Sequence, residues 1–512
     1  NRVPDKLTVG PCPGNPGRTC HTTTHYLVGS FGYFSVQKGG RGVRFSGPGV
    51  KARIDHKNDV FTNYVVRFAP IRQGQSRTFR ATYHLPAAGP RSSNNTRITD
   101  AYAHFCWHGQ PTDRGSVTAF LPKSFVPETQ HAQVTQKRSK KGVILRSRRK
   151  TDLGRFYACT DSFKPEKLVR TETVSPGGQI VTVEGWPEDP KWTEEITKGV
   201  ERTLPELEEI AGTPIPGDEI VVRQVAAQAL GGYAGDFSGK SEQIRVGETY
   251  DDSMLVAHEL AHAWFNRKTV KDTWIMEGHA EWMAAQANHL ACPLPGDYPG
   301  KGKPKLSEWQ YLGVNPSQRE QDVVDYQYTA ACAIVQRIEL LAGLDRMPEI
   351  SRALLERSPK YGGSARKKMP KPDWREWLDA VDELGVVPGG RGDWRTVENT
   401  LVEYGVVKSR QLKGRAAARE EYHEALDGPL AEVMPVAVRD LMDDWQFDKA
   451  MRALDVSERI VSAAVAAEEA GTGGVVAWVG PVLRDARSID DLRAIRKRLH
   501  ADPTSFEPAP SS

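Results

Sequence analysis

Over the first third of the chain, apolar and polar residues alternate in short runs at 64–68, 78–83, 101–107, 117–121, 143–145, 156–159 and 180–183, separated by Gly, Pro, Asn and Ser. Alternation places every second side chain on one face, so the pattern predicts strands and, with this punctuation, a β-sandwich over residues 1–188. The period changes at Asp189-Pro190, a pair suited to a helix N-cap followed by proline in the first turn. Trp192, Ile196, Val200, Leu204 and Leu207 then recur at helical spacing, with Pro205 expected to kink the helix and Gly212 to end it. Residues 220–225 and 241–248 read as strands, with Ile244 and Val246 on one face of the second and the stretch GGYAGDFSG as a turn between them. Helices are expected over 252–266, 274–291 and 328–341. From about 410 to 500 an Ala-, Glu- and Arg-rich stretch keeps helical spacing, and Ser488 with Asp491 resembles a capping box. The expected architecture is multidomain α+β: an N-terminal sandwich (1–188), a central mixed domain (189–405), a C-terminal helical domain (406–505) and a disordered tail (506–512).

Composition narrows the class. At 512 residues the chain exceeds what one hydrophobic core organises. Its 39% hydrophobic and 26% charged residues are ordinary for a globular protein. Lys and Arg number 69 against 65 Asp and Glu, a balance that gives no reason to expect a nucleic-acid partner. No run approaches the ~18 apolar residues of a transmembrane segment. Six cysteines suggest three bridges between neighbours, Cys12–Cys20, Cys106–Cys159 and Cys292–Cys332, in an oxidising compartment, against the alternative of six reduced thiols in a cytosolic protein. The first residue is Asn1 rather than Met, which a cleaved secretory signal or trimming would explain. The expectation is a secreted or envelope-associated bacterial protein. Lys137, Arg138, Lys140, Lys141, Arg146, Arg148, Arg149 and Lys150 cluster on a hairpin at 137–150, either a solvated hairpin or a contact for an anionic envelope.

The chemistry concentrates in DDSMLVAHELAHAWFNRKTVKDTWIMEGHAEWMAAQ. His258 and His262 lie one helical turn apart and can reach one zinc ion, and Glu259 between them can take a proton from a zinc-activated water. A surface helix with two solvated histidines is the bland alternative. Against it, Leu255, Val256, Leu260, Ala261, Trp264 and Phe265 surround the histidines with apolar groups, and buried imidazoles need partners. A catalytic zinc site needs a third protein ligand. Glu277 and Glu281, four apart on the next helix, compete for that role, and the other can fix a histidine tautomer.

HELAHAWFN followed by WIMEGHAEW resembles the gluzincins, the zinc peptidases that include thermolysin and the aminopeptidase N family. The aminopeptidases carry HExxHxWFGN and then WLNEGFA, with the glutamate of NEG as third ligand. The resemblance implies one zinc ion per chain held by His258, His262 and Glu277, with Glu259 as general base and Glu281 orienting His258. Fourteen residues separate His262 from Glu277, where the aminopeptidases usually have about eighteen, a spacing that Glu281 meets. The context of Trp274, Gly278 and Ala280 favours Glu277. The upstream GxMEN motif, whose glutamate holds a substrate amine, has as its counterpart GGYAGDFS, without that glutamate. The resemblance further implies Tyr328 (Tyr326 as second choice) as oxyanion donor. The strand at 241–248, with Ile244, and Gly235 are expected to bind substrate backbone. It covers residues 215–345 well and 24–190 loosely. The implied function is a zinc-dependent peptidase. The alternative is a catalytically inactive binding or scaffold protein of the envelope that keeps the gluzincin fold.

Overall fold

The computed structural model describes residues 6–12, 15–24, 28–58, 61–71, 79–85, 88–92, 96–108, 117–128, 133–148, 156–238, 241–296, 298–300, 302–312, 316–364, 369–384 and 394–507, with side chains from 34 onward except 71 and 394. The bridge Cys12–Cys20 falls outside the described side chains. Cys106–Cys159 and Cys292–Cys332 are both joined.

The N-terminal region is rich in sheet, but it is not one sandwich reaching residue 188. Its described strands form several small sheets. Tyr102–His108 and Tyr157–Phe163 face Thr118–Leu121 and Gly142–Ser147 across a small core of Trp107, Leu121, Val143, Leu145 and Phe156. Further upstream, Phe34, Phe45, Tyr64 and Phe79 cluster edge to face between two other sheets. The last two strands of the expected sandwich, Val169–Val174 and Ile180–Gly185, join the sheet of the following domain instead. Both faces explain this: Val181 and Val183 are buried under a helix, so Ile180–Gly185 pairs parallel with Glu219–Val225.

That mixed five-stranded sheet runs Val169–Val174, Ile180–Gly185, Glu219–Val225, Gln243–Gly247, Gly235–Ser238. Its order corrects one expectation. The strand expected at 241–248 is interior, flanked by Glu219–Val225 and Gly235–Ser238, and Ile244 points into the core at 1% exposure. With partners on both sides, this strand has no free backbone edge to offer a substrate. The exposed edge is Gly235–Ser238, read from the sequence as a turn. Gly231 (φ 65°) and Gly232 (φ 110°) take left-handed conformations that turn the chain early, and the next residues fold back antiparallel.

Helix α1 (Pro190–Ala211) crosses between the parallel strands and buries Trp192, Ile196, Val200, Leu204 and Leu207 completely. Burial of each is worth about 1.5–3 kcal/mol. Pro205 stays inside it, and Gly212 ends it with φ 68°. Asp189 precedes the helix but does not cap it with its side chain. Its carboxylate accepts from Arg91 (2.6 Å) and Gln224 (2.7 Å) and so ties the sheet to the N-terminal region. Arg97, donating to the buried Glu248, makes a second tie.

Helices α2 (Ser253–Ala261) and α3 (Thr273–Ala287) pack against α1 and each other, α2 also against the sheet, and α4 (Gln318–Ala342) packs on α3. Gly278 makes the α3–α4 contact close: a Cβ there would sit 2.8 Å from the carbonyl oxygen of Ala331. After α5 (Met347–Glu356), α6 (Trp374–Leu384) and α7 (Trp394–Glu403) still contribute to this core. A second core is built by α8 (Arg415–Leu426), α9 (Val436–Asp443), α10 (Phe447–Glu469), α11 (Val475–Arg484) and α12 (Ile489–Ala501), and Ser488 caps α12 through the N–H of Asp491. Phe506, expected in a disordered tail, is buried in that second core. The tail beyond 507 lies outside the described residues. No helix among the described residues is long and apolar enough to cross a membrane.

Candidate metal centre and active site

Helix α2 is capped by Asp252, which accepts the N–H groups of Met254 (2.6 Å) and Leu255 (3.3 Å). It ends at Ala261, earlier than the expected 266, because the following carbonyls find side-chain partners. Asn266 donates to the carbonyls of His262 and Ala263, and Thr269 donates to that of Trp264. The resulting turn brings the Phe265 carbonyl to 2.9 Å from Nδ1 of His262.

With Nδ1 occupied, His262 presents Nε2 inward. Nδ1 of His258 lies 2.8 Å from Glu281 on α3, so its Nε2 also points inward. The two Nε2 atoms stand 3.2 Å apart, and Oε2 of Glu277 lies 3.5 Å from one and 3.4 Å from the other. All three side chains are buried, and their donor atoms fall within 4.8 Å of one another. Oε2 of Glu277 and Oε2 of Glu259 are buried without a hydrogen-bond partner. Donor atoms about 2.0–2.1 Å from a tetrahedral zinc stand roughly 3.3–3.4 Å from each other. The donor set, its spacing and the orphaned carboxylate oxygen therefore fit zinc. The other metal-like group, His104 with Cys106 and Cys159, does not, because its sulfurs are joined to each other.

Electrostatics follow from burial without a Lys or Arg partner. Burial pushes Glu259 up to about 7; His258 and His262 oppose that, and Glu277 and Asp236 add to it. Burial would raise Glu277 too, but His262 and His258 hold it well below the usual carboxylate range. Burial disfavours the charged form of His258, yet Glu277 and Glu281 raise it above its ordinary value. The carboxylates thus draw positive charge into the site. A divalent cation would displace those protons.

The edge strand touches this centre. A Cβ on Gly235 would lie 2.7 Å from Oε1 of Glu259, so only glycine lets the strand approach the buried glutamate so closely. Asp236, beside it, is engaged by Arg245 (Nε to Oδ1, 2.9 Å) on the neighbouring strand. Gly235, Glu259, Glu277, Tyr328 and both histidines line one cleft of about 860 Å³. From α4, Tyr328 places its ring 6.0 Å from that of His258 and packs on Trp309. Burial raises its hydroxyl well above the usual phenol value, reinforced by Glu277 and Glu259. Tyr326 turns away to pack on Tyr298.

His279, between Glu277 and Glu281, is not in the cleft. It stacks on Phe265 at 4.2 Å and accepts the indole N–H of Trp377, and burial lowers it to about 3. Two cleft residues carry no motif and are not legible in the sequence: Tyr233, which accepts the N–H of Leu312 at 2.7 Å, and Arg267, whose guanidinium lies 5.1 Å over the ring of Tyr311. Far from the cleft, Lys137, Arg138, Lys140, Lys141, Arg146 and Arg148 of the basic hairpin are exposed. Arg149 and Lys150 fall outside the described residues.

Solved structures of an M1 zinc metallopeptidase from Deinococcus radiodurans are similar to the chain at 16% identity and a TM-score of 0.36, covering 75% of this chain and 89% of that one. A mutant of that enzyme gives 15% identity, a TM-score of 0.36 and coverage of 74% and 88%. A two-domain M1 zinc metallopeptidase mutant bound to L-tryptophan gives 14%, 0.34, 74% and 86%. Superpositions this loose assign no residue a role. No family model matches the chain, and no curated protein does.

Proposed function

We propose that the chain is a zinc-dependent peptidase with a gluzincin-type catalytic domain. The observation that carries this reading is the convergence of two Nε2 atoms and one carboxylate oxygen at mutual distances of 3.2–3.5 Å, with Nδ1 of His262 on the Phe265 carbonyl and Nδ1 of His258 2.8 Å from Glu281. His258, His262 and Glu277 would hold the ion, and Glu281 would fix His258. When bound, zinc supplies Lewis acidity toward the substrate carbonyl and lowers the pKa of a water toward neutrality.

The chain's own residues do the remainder. Glu259, buried at the cleft wall with one oxygen free, takes a proton from the attacking water and returns it to the leaving amine. Tyr328 keeps its proton at any physiological pH, and its O–H donates to the oxyanion as the carbonyl becomes tetrahedral. An extended peptide adds to the free edge of Gly235–Ser238 by backbone hydrogen bonds, which carries its scissile carbonyl past Glu259. The two bridges suit an oxidising compartment, and we place the protein outside the cytosol; the exposed basic hairpin offers a contact to an anionic envelope.

Cleavage of an unbiased peptide library by the zinc-loaded chain, beside Glu259→Gln, tests the reading. Cutting by the native chain alone is expected. Zinc binding by both with cutting by neither would move the inactive binding protein ahead.

A further inference from the structure

Charge in the cleft is distributed unevenly. Each of its acids already faces another group or serves the proposed reaction. Asp252 caps α2, Asp236 holds Arg245, Glu277 and Glu281 face the histidines, and Glu259 is the base. A substrate's free α-amine finds no uncommitted carboxylate among the described residues of the cleft. Its cations sit together on the turn after α2, at Arg267 and Lys268. Arg267 has no carboxylate within ion-pair distance among the described residues, and its guanidinium is stacked on Tyr311.

The turn that carries Arg267 is fixed from several sides. Asn266 accepts the N–H of Lys268 (2.8 Å) while donating to two carbonyls of the preceding turn. Lys371 donates to the Arg267 carbonyl (2.7 Å), and Arg357 to that of Lys268 (3.0 Å). The hydroxyl of Tyr311 meets that of Thr273 at 3.0 Å. Backbone and stacking surface are both held, which keeps a planar five-donor group at the cleft.

We propose that Arg267 is a specificity-determining residue that binds a carboxylate of the substrate, either the C-terminal carboxylate or an Asp or Glu side chain near the scissile bond. The inference rests on the peptidase reading above and names its substrate class. A stacked guanidinium accepts a carboxylate through two parallel N–H donors. Because Arg267 is exposed, the attraction is partly screened and falls with salt.

The test is equilibrium binding to the full-length, zinc-loaded Glu259→Gln chain, which holds peptides without cutting them. Three matched hexapeptides are compared: a neutral one with an amidated C-terminus, the same peptide as free acid, and the amide with Glu replacing Gln at successive positions. We expect one carboxylate-bearing form to bind about five- to twentyfold tighter at low salt, with the gap narrowing at high salt. Arg267→Met should bring the ratio to within about twofold, and Arg267→Lys should restore part of it. A gap for the free acid identifies the C-terminus as the source, and a gap for Glu identifies a side chain. Equal affinities, a gap that survives Arg267→Met, or failure of all three to bind would overturn the proposal. A carboxylate preference without cleavage by the native chain would leave it standing and sink the peptidase reading; cleavage without preference would do the reverse.

Discussion

Two buried clusters of acidic side chains can be set side by side. One lies between α6, α7 and α8, where the fully buried Arg415 meets Asp382 (2.7 Å), Glu398 (3.0 Å) and Asp379, and Arg419 meets Glu383 at 2.6 Å. Trp445 and Tyr361 donate to Asp379 as well. The other is the cleft, where Glu259, Glu277 and Glu281 have only two imidazoles opposite them. Among the described residues, no Lys or Arg lies within ion-pair distance of those three glutamates. The first cluster contains its own guanidinium cations and joins the larger core to the C-terminal helices. The second has no guanidinium or ammonium partner among the described residues. Buried carboxylates without a fixed countercharge are costly. A site that keeps them is built for a cation from outside.

Substitution of the base separates the two clusters most widely. Glu259→Gln should lower kcat about 10³-fold while zinc content and thermal stability hold, read by initial rates, metal analysis and a melting scan. Next, removing a fixed cation should act on stability rather than chemistry. Arg415→Met leaves Asp379, Asp382 and Glu398 facing one another and should cost about 3–5 kcal/mol in denaturant unfolding. The folded fraction should keep its zinc; loss of zinc with unchanged stability would erase the distinction drawn between the clusters. Smaller is Tyr328→Phe, for which a ten- to hundredfold drop in kcat with little change in KM is expected. An unchanged kcat would reduce Tyr328 to packing on Trp309.

The two clusters also differ in how far they can be read from sequence. The cleft is written in two short helical segments, and spacing four apart already puts His258 with His262 and Glu277 with Glu281 on shared faces. What spacing cannot supply is the angle between the helices. The turn fixed by Asn266 joins the two helices whose packing puts Glu277 beside both Nε2 atoms and Glu281 beside Nδ1. The arginine cluster leaves no such trace. Arg415 lies 36 residues from Asp379 in an Ala-, Glu- and Arg-rich helix with no motif, and only tertiary packing buries it. Strand order is equally opaque. Ile244 and Val246 share a face in either arrangement, and the glycines at 231 and 232 decide that GDFS, rather than their own strand, forms the edge.

Whether the cleft binds zinc is decided by the zinc affinity of the purified chain, measured by competition with a chelator for the native protein, Glu277→Ala and Glu281→Gln. One zinc per native chain is expected, with binding lost in Glu277→Ala and weakened about 10- to 100-fold in Glu281→Gln. No zinc in the native chain, or full affinity without Glu277, would contradict a metal centre built on His258, His262 and Glu277.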